Sequence, residues 1–246
     1  MAYFLRIITE KKPMTLTVRD VSRLLGKSER EVLRMVQRNE LPAMRVHDQL
    51  RFNRIELLEW ALTHFVELNG EILESSETGD FMPTLTESLR EGGIHFYLPG
   101  VDRTEALRAA VGKLPLPEAI DRELLLRVLL ARENLSSTGF GDGVAIPHVR
   151  NPLVLRVPRP LVTLNFLARP VDFQAVDGLP VFALFLLVSP SVRLHLRLLS
   201  RLAYALRKPE LKERLRSRAA AADILEVLQA IEAEMNGKPA VSADRP

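Results

Sequence analysis

A chain of 246 residues, 47% of them hydrophobic and 26% charged, is long enough for two modest domains with separate cores and too apolar to be disordered. With no cysteine, disulfides and thiolate metal sites are excluded, and a net charge of +3 is too small to argue for a nucleic-acid partner by itself. The start, Met1-Ala2-Tyr3-Phe4-Leu5-Arg6, lacks the basic and apolar regions of a secretory signal, and the longest apolar run, Val181 through Val188, is too short to cross a bilayer. A cytoplasmic location without a membrane partner is expected. Residues 1–13 read as a short apolar lead.

Segment 14–66 is densely punctuated and is expected to be a domain. Thr17 with Asp20, and Ser28 with Glu31, stand at the capping-box spacing ahead of two amphipathic stretches broken at Gly26-Lys27. The first predicts a helix over Val18–Leu25, the second a helix from Ser28 to about Asn39 that buries Val32, Leu33 and Val36. Two short strands follow around a turn at His47-Asp48, and Asn53 with Glu56 opens a third helix carrying Ile55, Leu58 and Leu62. This order is that of a winged helix-turn-helix. Arg30, Arg34, Gln37 and Arg38 on the second helix, with Arg45 and Arg51 on the hairpin, are the side chains expected to meet phosphates and base edges. The string Leu16-Thr17-Val18, Leu24-Leu25-Gly26, Leu41-Pro42-Ala43, Arg51-Phe52 and Leu57-Leu58-Glu59-Trp60 resembles excisionase- and MerR-type DNA-binding modules. That resemblance implies DNA as a partner; a protein-binding winged helix is the other reading. One module covers little DNA, so binding is expected to need a homodimer or tandem sites.

Residues 67–80 are polar, acidic and interrupted by glycine, which reads as a linker, with Glu67–Leu73 prolonging the helix before it. From 81 to 236 the pattern is α/β and predicts a mixed sheet flanked by helices. It opens with a short helix over Leu85–Glu91 and a strand over Ile94–Leu98. Asp102 or Thr104 caps a helix, and Asp121 starts another through Leu130, leaving Arg132 and Glu133 at its end. A strand at Leu161–Phe166 places Thr163 and Asn165 on one face, and Val181–Val188 reads as a central strand covered on both sides. Helices are expected from Ser191 to Lys208, after Pro209, and from Ile224 to Met235 with Asp223 as cap. Residues 237–246 are expected to be a loose tail.

One run in this second segment carries chemistry: Arg132-Glu133, then Ser137-Thr138-Gly139-Phe140-Gly141-Asp142-Gly143, then Ala145-Ile146-Pro147-His148. Alternate glycines at 139, 141 and 143 suggest a tight loop whose main-chain N–H groups face an anion. A neutral imidazole beside such a loop suggests phosphoryl transfer, although a plain glycine turn next to a surface histidine fits the same residues. A hydrolase or metal site built on His148 and His195 would need carboxylates, for which Glu133 and Asp142 are the candidates nearest in sequence.

The same string resembles the phosphorylation-site signature of enzyme IIA domains of the fructose, mannitol and nitrogen-regulatory type in the phosphoenolpyruvate-dependent phosphotransferase system. The second match is His195-Leu196-Arg197-Leu198-Leu199, which resembles the family's second-histidine segment. The resemblance implies that His148 accepts a phosphoryl group from a histidine-phosphorylated carrier protein. His195 would then donate a hydrogen bond to the phosphoryl oxygens and Arg132 would grip them. Thr138, Gly139, Gly141 and Gly143 would form the phosphate loop. No metal and no cofactor is implied, and the chain would be a phosphohistidine carrier rather than an enzyme acting on a free substrate. Fusion to a helix-turn-helix favours a nitrogen-regulatory output, through DNA or a regulated partner protein, over sugar uptake. The departure from the family pattern is Val149-Arg150 after the histidine, where a small residue is usual. It motivates a second reading, a regulator that keeps the fold without being phosphorylated. An acceptor must be reached by its donor, so His148 is expected to be open to solvent.

Overall fold

The computed structural model describes residues 15–63, 83–149 and 157–237. The apolar lead, the linker at 67–80, the prolonged helix at 67–73, Arg150 and the tail beyond 237 lie outside the described residues. The chain divides into two compact units, 1–79 and 80–246.

In the first unit, β1 (Thr15–Leu16) leads into α1 (Val18–Leu25), α2 (Glu29–Gln37), β2 (Met44–Val46), β3 (Gln49–Asn53) and α3 (Arg54–Thr63). Both capping boxes form: Thr17 accepts from the Asp20 N–H, Ser28 accepts from the Glu31 N–H, and each acid reaches back. The Thr17 N–H and hydroxyl hold the Asp20 carboxyl below its ordinary value of 3.8. Gly26 ends α1 at φ 61, and His47 and Asp48 both take positive φ, as a two-residue hairpin turn between right-twisted strands requires. The sheet order is β1-β3-β2, all antiparallel. The two-residue β1 was not foreseen, because two residues carry no alternation to read. Val21, Leu24, Val32, Phe52 and Leu57 close the core. Leu33, expected inside, is 38% exposed. On α3 the buried residues are Leu57 and Ala61; the side chains of Ile55, Leu58 and Leu62 lie outside the described set.

The second unit runs α4 (Leu85–Gly92), β4 (Ile94–Leu98), α5 (Arg103–Lys113), α6 (Arg122–Leu135), β5 (Gly139–Gly141), β6 (Val144–Ala145), β7 (Leu161–Val171), β8 (Val181–Val188), α7 (Val192–Ala205), α8 (Pro209–Arg216) and α9 (Ala221–Gly237). Its mixed five-stranded sheet has the order β4-β7-β8-β6-β5, with β4 parallel to β7 and β6 parallel to β8. The remaining pairs are antiparallel. The apolar run 181–188 is thus the middle strand. Leu184, Leu186 and Val188 face a core shared with Ala106, Leu107 and Ala110 of α5 and Leu125, Leu126 and Leu129 of α6. Three expectations change. α6 continues five residues past Leu130 and takes in Arg132 and Glu133. Asp223 lies inside α9 rather than capping it. The glycine run is a β-hairpin on the sheet edge rather than a free loop.

Candidate functional site

Strand β6 aims the acceptor candidate. Val144 lies beside Ala183 and Ala145 beside Leu184, and three residues on, past Pro147, His148 makes an isolated parallel bridge to Leu187. Neighbours across a sheet share a face, so His148 goes with Leu187, opposite the α5/α6 core. Val149 goes the other way: it belongs to that core and is 2% exposed. Its bulk therefore lies on the far side of the strand from the imidazole.

After β8, Ser191 caps α7 by accepting from the Leu194 N–H, and His195 follows in the first turn. The capped turn presents its His195 to the sheet, where the two rings meet with centroids 5.2 Å apart and planes at 47°. The structure thus brings together two histidines that are far apart in sequence. His148 Nδ1 lies 2.6 Å from the Ile146 carbonyl oxygen. A carbonyl can only accept, so Nδ1 carries the proton, and in the neutral ring the lone pair is then on Nε2.

Both rings are buried, His148 at 4% exposure and His195 at 1%. The expectation of an open acceptor is not met. Leu187 of β8 and the His195 ring of α7 lie beside His148.

Arg132, Thr138 and Gly139 make contacts within their own segment. Arg132 Nη1 donates to the Ser136 carbonyl at 2.8 Å and to its hydroxyl at 3.0 Å, closing the C-terminus of α6. The Thr138 N–H and hydroxyl both donate to Glu133. The Gly139 N–H donates to Ser137 Oγ at 2.9 Å and the Asp142 N–H to Asp177 at 2.7 Å. These amides serve the protein's own acceptors. Gly141 and Gly143, at φ 109 and 76, form the hairpin turn beside Phe182, at the opposite end of β8 from Leu187. At about 3.3 Å per strand residue they stand roughly 15 Å from the histidine pair. Gly143 is explained by its neighbour: a Cβ there would lie 2.5 Å from the Phe182 ring. The sequence reading missed Glu133 as a structural hub. Its buried carboxylate, 3% exposed, could have been suspected from an acidic residue in the last turn of a helix, where it opposes the dipole.

The hydrolase alternative finds little here. Among the described residues no three histidine, aspartate or glutamate side chains stand together as a metal site. Asp142 faces Lys212 and Arg216 of α8 at 2.6 and 2.9 Å instead.

In the first unit, Arg30, Arg34 and Gln37 are exposed on one face of α2, and Arg38 follows at its C-cap, 3.8 Å from Glu40. The hairpin divides its two arginines. Arg45 lies opposite Leu50, on the face that packs against the core, whereas Arg51 lies opposite Met44 on the other face. Arg51 also donates to Gln49 and to the Leu50 carbonyl. Arg45 and Arg51 thus lie on opposite faces of the hairpin.

Residues 87–231 match the model of the phosphoenolpyruvate-dependent sugar phosphotransferase system EIIA 2 family, more than half of the chain. The chain belongs to that EIIA family. Residues 15–64 match a helix-turn-helix domain. The EIIA portion is 35% identical over 151 residues to a nitrogen regulatory protein of Pseudomonas aeruginosa, covering 60% of this chain and 96% of that one. A nitrogen regulatory protein of Bradyrhizobium diazoefficiens is 34% identical over 128 residues, covering 51% and 82%. Among solved structures, nitrogen regulatory protein IIA-Ntr of Neisseria meningitidis superposes with a TM-score of 0.52 at 29% identity, covering 58% of this chain and 98% of its own. The mixed sheet and its flanking helices are therefore an EIIA fold, with nitrogen regulatory proteins among its relatives. No described helix is long and apolar enough to cross a membrane.

Proposed function

We propose that the EIIA unit is a regulatory phosphoryl carrier whose acceptor atom is Nε2 of His148. The observation that carries the reading is the contact of Nδ1 with the Ile146 carbonyl, which in the neutral ring puts the lone pair on Nε2. The donor is a carrier protein phosphorylated on histidine. In the transfer, the donor's P–N bond breaks with its electron pair returning to the donor ring, and Nε2 forms the new P–N bond. The His148 ring keeps its Nδ1 proton and becomes cationic, a charge that the Ile146 carbonyl stabilises. His195 supplies a hydrogen bond to the phosphoryl oxygens, beside the first-turn amides of α7 that favour an anion. Arg132 acts by holding the turn after α6 and by its charge. The protein works in the cytoplasm, and its output runs through the helix-turn-helix domain, with α2 presenting Arg30, Arg34 and Gln37 to DNA as a homodimer. A phosphoryl group adds nearly two negative charges, enough to reorder a partner surface.

The experiment is incubation with the phosphorylated donor carrier. One acid-labile phosphate per chain is expected, absent in His148→Ala and shorter-lived in His195→Ala. Labelling that survives His148→Ala would refute the acceptor. The 4% exposure of His148 favours the second reading, an EIIA-fold regulator that takes no phosphate; a wild-type chain that stays unlabelled would establish it.

A further inference from the structure

Glu133 is a carboxylate in the last turn of a helix, 3% exposed, with Arg132 beside it in sequence already turned to Ser136. Such a group is costly to bury, and capping α6 does not require it, because Arg132 does that. Both of its oxygens are used on one residue: Oε1 accepts from the Thr138 N–H at 3.0 Å and Oε2 from the Thr138 hydroxyl. The Thr138 carbonyl, on the far side of that residue, accepts from the Ile146 N–H at 3.0 Å. The Ile146 carbonyl then accepts from His148 Nδ1 at 2.6 Å. Glu133, Thr138, Ile146 and His148 form one continuous series of hydrogen bonds, and Glu133, Thr138 and His148 are buried polar groups in the sheet-edge region.

We infer that Glu133 is a positioning residue that fixes the tautomer and orientation of the His148 imidazole, acting through Thr138 and Ile146. This inference rests on the reading of His148 as the acceptor. β5 and β6 are short, three and two residues, so few ladder bonds hold the Ile146 peptide in place. Pro147 supplies no N–H to help. Holding Thr138 at two points from the helix compensates for that sparse ladder. It keeps the Ile146 carbonyl where only an Nδ1–H tautomer can meet it, and that tautomer leaves Nε2 as the nucleophile.

The test uses the full chain without any donor first. In the wild type, side-chain ¹⁵N spectra should show His148 as a single tautomer protonated at Nδ1. Glu133→Ala removes both acceptors of Thr138 and should move those signals towards a mixture of the two tautomers. With donor added, it should slow phosphate uptake by about tenfold to a hundredfold, the range for removing an outer partner that orients a metal-bound imidazole. Glu133→Gln can accept the Thr138 N–H through its carbonyl and donate to Thr138 Oγ, so it should restore the single tautomer and most of the rate. If Glu133→Ala does not fold, Thr138→Val, which deletes only the hydroxyl link, should show a smaller shift in the same direction. A single unshifted tautomer in the folded variant overturns the inference, as does Glu133→Gln behaving like Glu133→Ala. A wild-type chain that takes up no phosphate would sink the acceptor assignment instead, and the tautomer measurement would stand apart from it.

Discussion

His148 and Val149 are neighbours with opposite fates. The alternation of β6 sends Ile146 and His148 to one environment and Val149 to the other, where it joins the α5/α6 core. Val149→Ala should therefore act as a core truncation, costing about 1.5–3 kcal/mol in urea unfolding, and should leave phosphate uptake of the folded protein unchanged. Burial of His148 has its own consequence. His148 should react with diethyl pyrocarbonate far more slowly than His47, which is exposed at the hairpin tip, a comparison that peptide mass spectrometry resolves by site. Equal rates would show that the ring is open in solution. Gly143 is a packing requirement. An added methyl would meet the Phe182 ring at 2.5 Å with φ at 76, so Gly143→Ala should cost at least about 1 kcal/mol.

At the scale of elements, the hairpin that bears the glycines is tied to α8 through Asp142, which faces Lys212 and Arg216. The Lys212 ammonium first, and then the two cationic charges, hold the Asp142 carboxyl below its ordinary value of 3.8. A carboxyl whose value is lowered by folding stabilises the folded state above its unfolded value, and that contribution disappears as pH falls through the folded one. The wild type should thus lose stability between pH 5 and about pH 3 in part through this group, and Asp142→Asn should flatten that acid limb. The effect is small, about 1 kcal/mol or less, because solvent screens a pair this exposed. Glu232 of α9 is the opposite case. Its buried carboxylate accepts from the Leu85 and Thr86 N–H groups at 2.9 Å each and from Arg201 at 3.1 Å, so it joins the N-terminus of α4 to α7. Glu232→Ala strands those donors and should cost about 3–5 kcal/mol.

For the whole molecule, the two units have separate cores, one around Phe52 and one around β8, and each matches a different family model. If the first unit binds DNA as proposed, substitutions that empty the α2 face should therefore act on that binding alone. Replacing Arg30, Arg34 and Arg38 together by Ala should reduce the slope of log K against log salt by up to about 0.9 for each phosphate that is no longer neutralised. Phosphate uptake on His148 should be unaffected. A slope that does not change would mean that α2 does not track a phosphate backbone, and a protein partner would then be the better reading of the module.

The local rules were legible in the order of residues. Capping spacings at Thr17 and Ser28 placed helix starts, as did Asp121 and the choice of Asp102 or Thr104, the turn at His47-Asp48 placed the hairpin, and an eight-residue apolar run marked the middle strand. The recurrence of a fixed string around His148, with a second around His195, pointed to the family without any help from the fold. What lay beyond reach was every property that depends on a partner distant along the chain. That Arg45 and Arg51 part company depends on pairing register, and a one-residue step exchanges faces. Which acceptors take the amides around the glycines depends on Glu133, Ser137 and Asp177 converging from three segments. That His148 is buried beside His195 depends on the packing of two segments far apart in sequence. Helix caps and turns are settled within a few residues, where spacing is geometry. Burial and hydrogen-bond satisfaction are settled by what tertiary packing brings alongside, and spacing alone carries no record of that.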